Sequence, residues 1–165
     1  EKLDIGARVF IDHLPEINEA KGKKIIDLGC GNGLLGAVLA QAQTKSKIYL
    51  TDESELAVRS AQHTFDLNNL TNGIFIQSDC LDEVPEIKAK LIVCNPPFHQ
   101  QNTQTIDIAK KMFSQSSKYL DKDGRLLVVA NRHLKYRSYL NKSFAKVEVI
   151  SKDPKFNVWQ ASLPK

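Results

Sequence analysis

Two short runs in this sequence carry residue types that could do chemistry. Residues 27–33 read Asp-Leu-Gly-Cys-Gly-Asn-Gly, and residues 95–99 read Asn-Pro-Pro-Phe-His. In the first, Gly29, Gly31 and Gly33 let the backbone turn tightly and approach a ligand with no Cβ in the way. A helix opening just after them points its free N–H groups back at the loop. That is the chemistry of a nucleotide-type cofactor, and two cofactors fit. Gly31-Asn-Gly-Leu-Leu-Gly36 matches the GxGxxG spacing of a dinucleotide site, with the acid Asp52 about 20 residues further on. The same loop, read from Asp27, has the acidic-x-Gly-x-Gly-x-Gly register of an S-adenosylmethionine (AdoMet) site. Asp52 would hold ribose hydroxyls in either case, so the loop alone leaves both open. Asp79, in Gln77-Ser-Asp-Cys80, can accept a hydrogen bond from an exocyclic adenine amine, while the backbone N–H of Cys80 donates to the ring. Alone, Asp79 reads sooner as a helix cap or turn residue.

The second run decides between the cofactors. Consecutive prolines at 96 and 97 fix the backbone and remove two donors, leaving carbonyl oxygens free to accept, and Asn95 adds a side-chain carbonyl. Such acceptors can hold both hydrogens of a planar amino group and aim its nitrogen. Phe98 offers a flat face on which an aromatic ring can stack. Holding the N–H groups draws the delocalised nitrogen lone pair toward tetrahedral geometry, and the remaining task is in-line placement against a methyl donor. No strong base is required. Asn95, Pro96 and Phe98 are thus the candidate catalytic residues, and a hydride-transferring NAD enzyme would have no use for them.

These residues need a scaffold that brings loop ends together. Short β-branched runs at 24–28, 47–51, 73–77, 90–94 and 125–130 alternate with helical patterns at 34–42, 54–67 and 104–120, which predicts a parallel sheet wrapped by helices. Two further strands, 146–150 and 156–162, have only a short link between them, so the last strand is expected to be antiparallel. Asp27, Asp52 and Asp79 then fall near the ends of three successive strands, the edge where parallel sheets bind ligands. Trp159 is expected in the core, and the three cysteines as small buried fillers.

Composition sets the bounds. The 165 residues carry 23 Lys+Arg against 19 Asp+Glu, a formal charge of +4, with 42% hydrophobic residues, an ordinary globular balance. No apolar run approaches the roughly 20 residues of a membrane helix. Cys30, Cys80 and Cys94 form no CxxC, which argues against disulfides or a metal site and for a reducing, cytoplasmic compartment. The chain opens on Glu1 and its single methionine is Met112, which points to a piece of a longer protein. Residues 132–155 hold seven cations against two acids, a local surplus of +5. They include Arg132, Lys135 and Arg137, which with His99, Asn131 and His133 are candidate nucleic-acid contacts. Tyr136 and Tyr139 interleave with these cations, as in single-strand binders or as one face of a packed helix.

Taken together, Asp27–Gly33, Asp52, Asp79 and Asn95–Phe98 resemble the class I AdoMet-dependent amino-methyltransferases with the (Asn/Asp)-Pro-Pro-aromatic signature. More narrowly, Leu3-Asp-Ile-Gly-Ala-Arg8, Asn95-Pro-Pro-Phe-His-Gln-Gln101 and Ala130-Asn-Arg-His-Leu134 resemble the bacterial ribosomal RNA guanine-N2 methyltransferases, the large-subunit 23S enzymes more than their 16S relatives. The resemblance implies a Rossmann-like sheet of seven mostly parallel strands, with a C-terminal antiparallel hairpin and helices on both faces. Residues 1–165 would be one catalytic domain, the C-terminal half of a longer enzyme whose N-terminal domain assists RNA binding. It implies AdoMet held by Asp27, Gly29, Gly31, Gly33, Asp52, Asp79, Cys80 and Asn95, with S-adenosylhomocysteine as product. A single-stranded or looped guanine would sit at Asn95, Pro96 and Phe98. Other acceptors remain open: a 16S guanine, adenine N6 or a protein glutamine. So does a non-catalytic AdoMet- or RNA-binding module in ribosome assembly.

Overall fold

A computed structural model describes residues 5–13, 22–97 and 102–165. The elements run α1 (Ile5–Ile11), β1 (Lys24–Leu28), α2 (Leu34–Ala42), β2 (Lys47–Asp52), α3 (Glu55–Leu67), β3 (Gly73–Gln77), β4 (Ala89–Cys94), α4 (Thr103–Tyr119), β5 (Leu120–Asn131), α5 (Tyr136–Ser143), β6 (Phe144–Lys152) and β7 (Phe156–Pro164). The seven strands form one sheet in the order β3-β2-β1-β4-β5-β7-β6. The pairs from β3 through β5 are parallel. β7 is antiparallel to both β5 and β6. The expected class I sheet with its C-terminal antiparallel hairpin is therefore the observed one.

The continuous apolar runs of the strands follow from burial on both faces. In β1, Ile25 belongs to the core with α1, α2 and α3, while Ile26 and Leu28 belong to the core with α4 and α5. Ile48 and Tyr49 divide in the same way, as do Leu91 and Ile92. Phe10, Leu39 and Phe65 fill the first layer; Phe113, Tyr136, Phe144 and Trp159 fill the second. Trp159 and all three cysteines are buried, as their sequence settings imply.

Element boundaries moved for local reasons. α3 begins at Glu55 because Ser54 caps it, its side chain accepting from Ala57 N–H at 3.3 Å. α4 begins at Thr103 because Asn102 and Thr105 form a reciprocal capping box. β5 starts at Leu120 rather than 125, running on from α4 through Asp121-Lys-Asp-Gly124 with a register shift against β4. α1 and α5 carry too short a periodic signal for sequence periodicity to place their ends. Among the described residues no helix is long and apolar enough to cross a membrane.

Candidate functional site

The parallel registers bring the carboxyl ends of β1, β2 and β4 level: Leu28 sits beside both Thr51 and Cys94. The loops leaving those ends must share one edge. The glycine loop is hung from β2, with Gly29 N–H and Cys30 N–H both donating to Thr51 C=O, at 2.9 and 2.8 Å. Asp52 then takes both sides of the turn. Its Oδ2 accepts from Gly31 N–H and its Oδ1 from Ser54 N–H, each at 3.0 Å. Gly33 cannot be replaced cheaply: its φ is +78°, and a Cβ there would lie 2.7 Å from the Cα of Ala61 in α3. This is the close helix-to-loop packing that the third glycine of such a motif permits.

The edge opens into a cleft of about 300 Å³ lined by Gly29, Asp52, Asp79, Cys80, Asn95 and Pro96, with Thr51, Ser78, Ile108 and Met112 among its other walls. That volume lies at the small end of ligand pockets. Gly29 of the glycine loop and all three residues of the Asn-Pro-Pro run thus open into the same space. Among the described residues no three His, Cys, Asp or Glu side chains gather to hold a metal ion.

Asp27, Gly31 and Gly33 belong to the loop but do not line this cleft. Asp27 is 2% exposed, and its Oδ2 accepts from Gly36 N–H at 2.9 Å inside α2. Gly36 leaves no room for more, since a Cβ there would run into Leu50 Cδ2 and lie 3.0 Å from Asp27 Oδ2. Burial raises the Asp27 carboxyl to about 7, partly offset by the Gly36 N–H and reinforced by the charge on Asp52. Asp27 is therefore set apart from Asp52 and Asp79, as a brace between strand and helix beneath the loop.

Asp79 meets a partner that sequence reasoning missed. Lys111 Nζ lies 2.8 Å from Asp79 Oδ2 and 2.7 Å from Asp82 Oδ2. Gln115 Nε2 donates to Asp82 Oδ1 at 2.6 Å while Gln115 Oε1 accepts from Leu81 N–H at 2.8 Å. Lys111 and Gln115 stand one turn apart on α4, so a single helix face grips the 79–82 turn. The Lys111 ammonium and the Gln115 amide hold Asp82 below the usual carboxylate range. Ile108 and Met112 of α4 wall the cleft, and Met112 Sδ lies 3.6 Å from Cys94 Sγ. The only local hint was the Ile108–Met112 spacing; that α4 folds over the cleft is a tertiary fact.

Cys80 adopts φ +52°, a left-handed conformation uncommon outside glycine. Burial, with Asp79 next to it, pushes its thiol up to about 12, and burial raises Cys94 as well. These thiols are not nucleophiles at neutral pH.

The remaining candidates lie away from the cleft lining. Asn131 ends β5, and its Oδ1 accepts from His133 N–H at 3.1 Å. Arg132 is tied by its backbone N–H to Lys155 C=O at 2.9 Å, leaving an exposed side chain. Lys135 caps α5. Arg137 stacks over Trp159, its guanidinium carbon 5.0 Å from the ring centroid, and donates to Val147 C=O at 3.2 Å. Tyr136 is buried edge-on to Phe113, and Tyr139 lies under Lys110. The aromatic and basic interleaving of this segment is thus a packed helix face. Phe98 and His99 lie outside the described residues.

Comparison with known proteins follows the same lines. The family model described as "Methyltransferase small domain" matches residues 1–160. "Ribosomal RNA large subunit methyltransferase G" of Shewanella amazonensis is 43% identical over 163 residues, covering 97% of this chain and 42% of that protein. The protein of the same name from Vibrio cholerae is 44% identical over 164 residues, covering 98% and 43%. The chain therefore spans less than half the length of these relatives. Among solved structures, "T. Thermophilus 16S rRNA N2 G1207 methyltransferase (RsmC) in complex with AdoMet and Guanosine" superposes with a TM-score of 0.87 at 24% identity, covering 98% of this chain and 43% of that one. A ribosomal protein L11 methylase from Lactobacillus delbrueckii subsp. bulgaricus superposes at 0.75 and 19% identity, covering 97% of this chain and 77% of that one.

Proposed function

Because this chain belongs to the methyltransferase small domain family, we propose that it transfers the methyl group of AdoMet to the exocyclic N2 amine of a guanine in 23S ribosomal RNA, in the cytoplasm. The observation that carries this reading is the shared cleft: Gly29, Asp52, Asp79 and Cys80 face the same space as Asn95 and Pro96. The large-subunit name borne by relatives at 43–44% identity favours a 23S over a 16S acceptor.

The residues present fit AdoMet. Two backbone N–H groups of the glycine loop donate to Thr51 C=O, which anchors the loop to β2. A Cβ on Gly29 would come within 3.3 Å of Met112 Cε, which narrows the very wall that a ligand would touch. Asp52 retains lone pairs to accept ribose hydroxyls while its oxygens hold the turn. Asp79 accepts an adenine N–H, and Asn95 lies at the junction of the cofactor and acceptor halves. When bound, AdoMet supplies an electrophilic methyl group.

The protein's own work is orientation. Asn95 and the Pro96 carbonyl accept from the two N–H groups of the guanine amine, holding its nitrogen toward the cleft and raising its nucleophilicity. Phe98 stacks on the base. Methyl transfer would form the N–C bond as the donor's S–C bond breaks, the electron pair staying on sulfur in S-adenosylhomocysteine; the amine would then carry one proton too many, which solvent can take, so no strong base is needed. Excluding water from the cleft strengthens each of these hydrogen bonds. A base within a duplex must be flipped out first, at a cost of a few kcal/mol, which favours a loop or single strand. To Asn131, Arg132, His133 and Lys135, at and just after the end of β5, we assign contact with the flanking nucleotides. We also place part of the RNA affinity outside these 165 residues, since the relatives are more than twice as long.

Full-length protein incubated with methyl-labelled AdoMet and unmodified 23S transcript tests this. Label on N2 of one guanine is expected; label on adenine or protein, or none on RNA, overturns it.

A further inference from the structure

The opposite edge of the sheet holds a concentration of charge that the cofactor cleft does not use. Lys24 begins β1 and Lys47 begins β2, directly paired in the parallel register. Ile25 pairs with Leu91, so Lys90 stands one residue before that pair on the other side of Lys24. The three lysines form a row across adjacent strands, which neighbouring strands space at roughly 4.8 Å. Lys23, Lys45 and Lys88 flank the row, and all six line one open hollow with only Glu86 and Asp121 for acids. Six cations against two acids give +4, equal to the formal charge of the whole chain.

Folding gains nothing from this row. Like charges at directly paired strand positions destabilise a sheet. Of these six lysines, among the described residues only Lys90 has a carboxylate within ion-pair distance, Asp123 at 3.8 Å. Lys88 donates to a neutral backbone oxygen, that of Lys118. Lys23, Lys24, Lys45, Lys47 and Lys88 are exposed, so their ammonium groups face solvent. A surface that concentrates unpaired cations on a rigid strand edge suits a partner that brings regularly spaced anions.

We infer that this lysine rim is a second RNA-binding surface, which takes the phosphate backbone of a helical segment other than the one carrying the target base. It rests on the RNA reading proposed above. From Lys24 to Leu28 the sheet is about 13 Å long, so one RNA must reach around an edge of the domain to occupy the cleft and the rim together. The rim grips phosphates and reads no bases.

The test is fluorescence anisotropy of the full-length protein with a fluorescein-labelled RNA duplex of roughly 20 base pairs and arbitrary sequence. The measurement is repeated over a range of salt concentrations. Neutralising the row as K24Q/K47Q/K90Q should weaken duplex binding about tenfold or more near 0.1 M salt. It should reduce the slope of log affinity against log salt by roughly 2–3. AdoMet affinity should stay within about twofold, with Tm equal to or slightly above the parent's, since a like-charge row is relieved. The matched variant R59Q/K142Q/K146Q removes the same charge away from the hollow and should move the slope by less than about one. An unchanged slope in the row variant overturns the inference, as does an equal loss in the matched variant or equally tight binding of polyglutamate. K23Q/K45Q, outside the strands, provides the same reading should the row variant fold poorly. Duplex binding does not depend on methyl transfer, so a wild-type protein that binds duplex through the rim but methylates no guanine counts against the proposed reaction alone.

Discussion

Two carboxyl-derived side chains with opposite settings show how single residues divide the work. Asn95 stands in the cleft wall at the end of β4, where its carbonyl is proposed to hold the acceptor amine. Asn95→Ala should therefore lower kcat by about 100-fold or more, the scale of losing one well-placed hydrogen-bonding group, while AdoMet Kd changes by less than about threefold. Single-turnover kinetics and calorimetry together separate the two effects. Asp27, by contrast, is a brace whose charge is costly. Its carboxyl is raised from 3.8 to about 7, so between those pH values the unfolded chain releases a proton that the folded chain keeps. Stability contributed at this site is thus greatest below about pH 4 and falls as pH rises toward 7, then levels off. Asp27→Asn keeps an acceptor for Gly36 N–H and removes the titration. In urea melts, the stability of the variant relative to the parent should increase between pH 5.5 and 7.5 and change little above that.

At the scale of elements, the linkage of interest is α4 with the turn after β3. Lys111 holds Asp79 and Asp82 together, and its neighbour Met112 walls the cleft. Lys111→Met keeps the length of the side chain but leaves two carboxylates facing one another without a counter-charge. The turn should loosen, raising AdoMet Kd by about three- to tenfold with kcat at saturation within about twofold; an unchanged Kd would separate α4 from cofactor binding. This linkage also marks where the sequence stops being legible. That the glycine loop and Asn95-Pro96 lie at one end of the sheet could be read because their spacing is short and each follows a strand. The strands could be read because burial on both faces leaves unbroken apolar runs such as Ile25-Ile26. Lys111 looked like any lysine on the polar side of a helix, and nothing near it in the chain says that Asp79 and Asp82 lie opposite. Asp27 fitted a motif register, yet register cannot distinguish a carboxylate facing a ligand from one turned under the loop toward Gly36.

Over the whole molecule, the modest net charge conceals two concentrations at different places. Sequence order shows the surplus after residue 131, where Arg137 proves to be stacked on Trp159. It does not show the rim, because Lys24, Lys47 and Lys90 are scattered along the chain until the parallel registers align them. If the rim takes RNA as inferred above, salt should weaken that binding more steeply than the cations after β5 alone would dictate.

The position of β7 has a consequence for the order in which the protein is made. β7 is the last strand in the chain, yet it lies between β5 and β6 and pairs with both. While the ribosome is still translating residues 144–152, β6 has no partner and β5 presents an open hydrogen-bonding edge, a surface prone to pairing with other chains. The nascent domain must wait with that edge uncovered until 156–164 have cleared the exit tunnel. A chain stopped after Lys152 should bind the dye ANS and melt without cooperativity, whereas the full chain melts sharply.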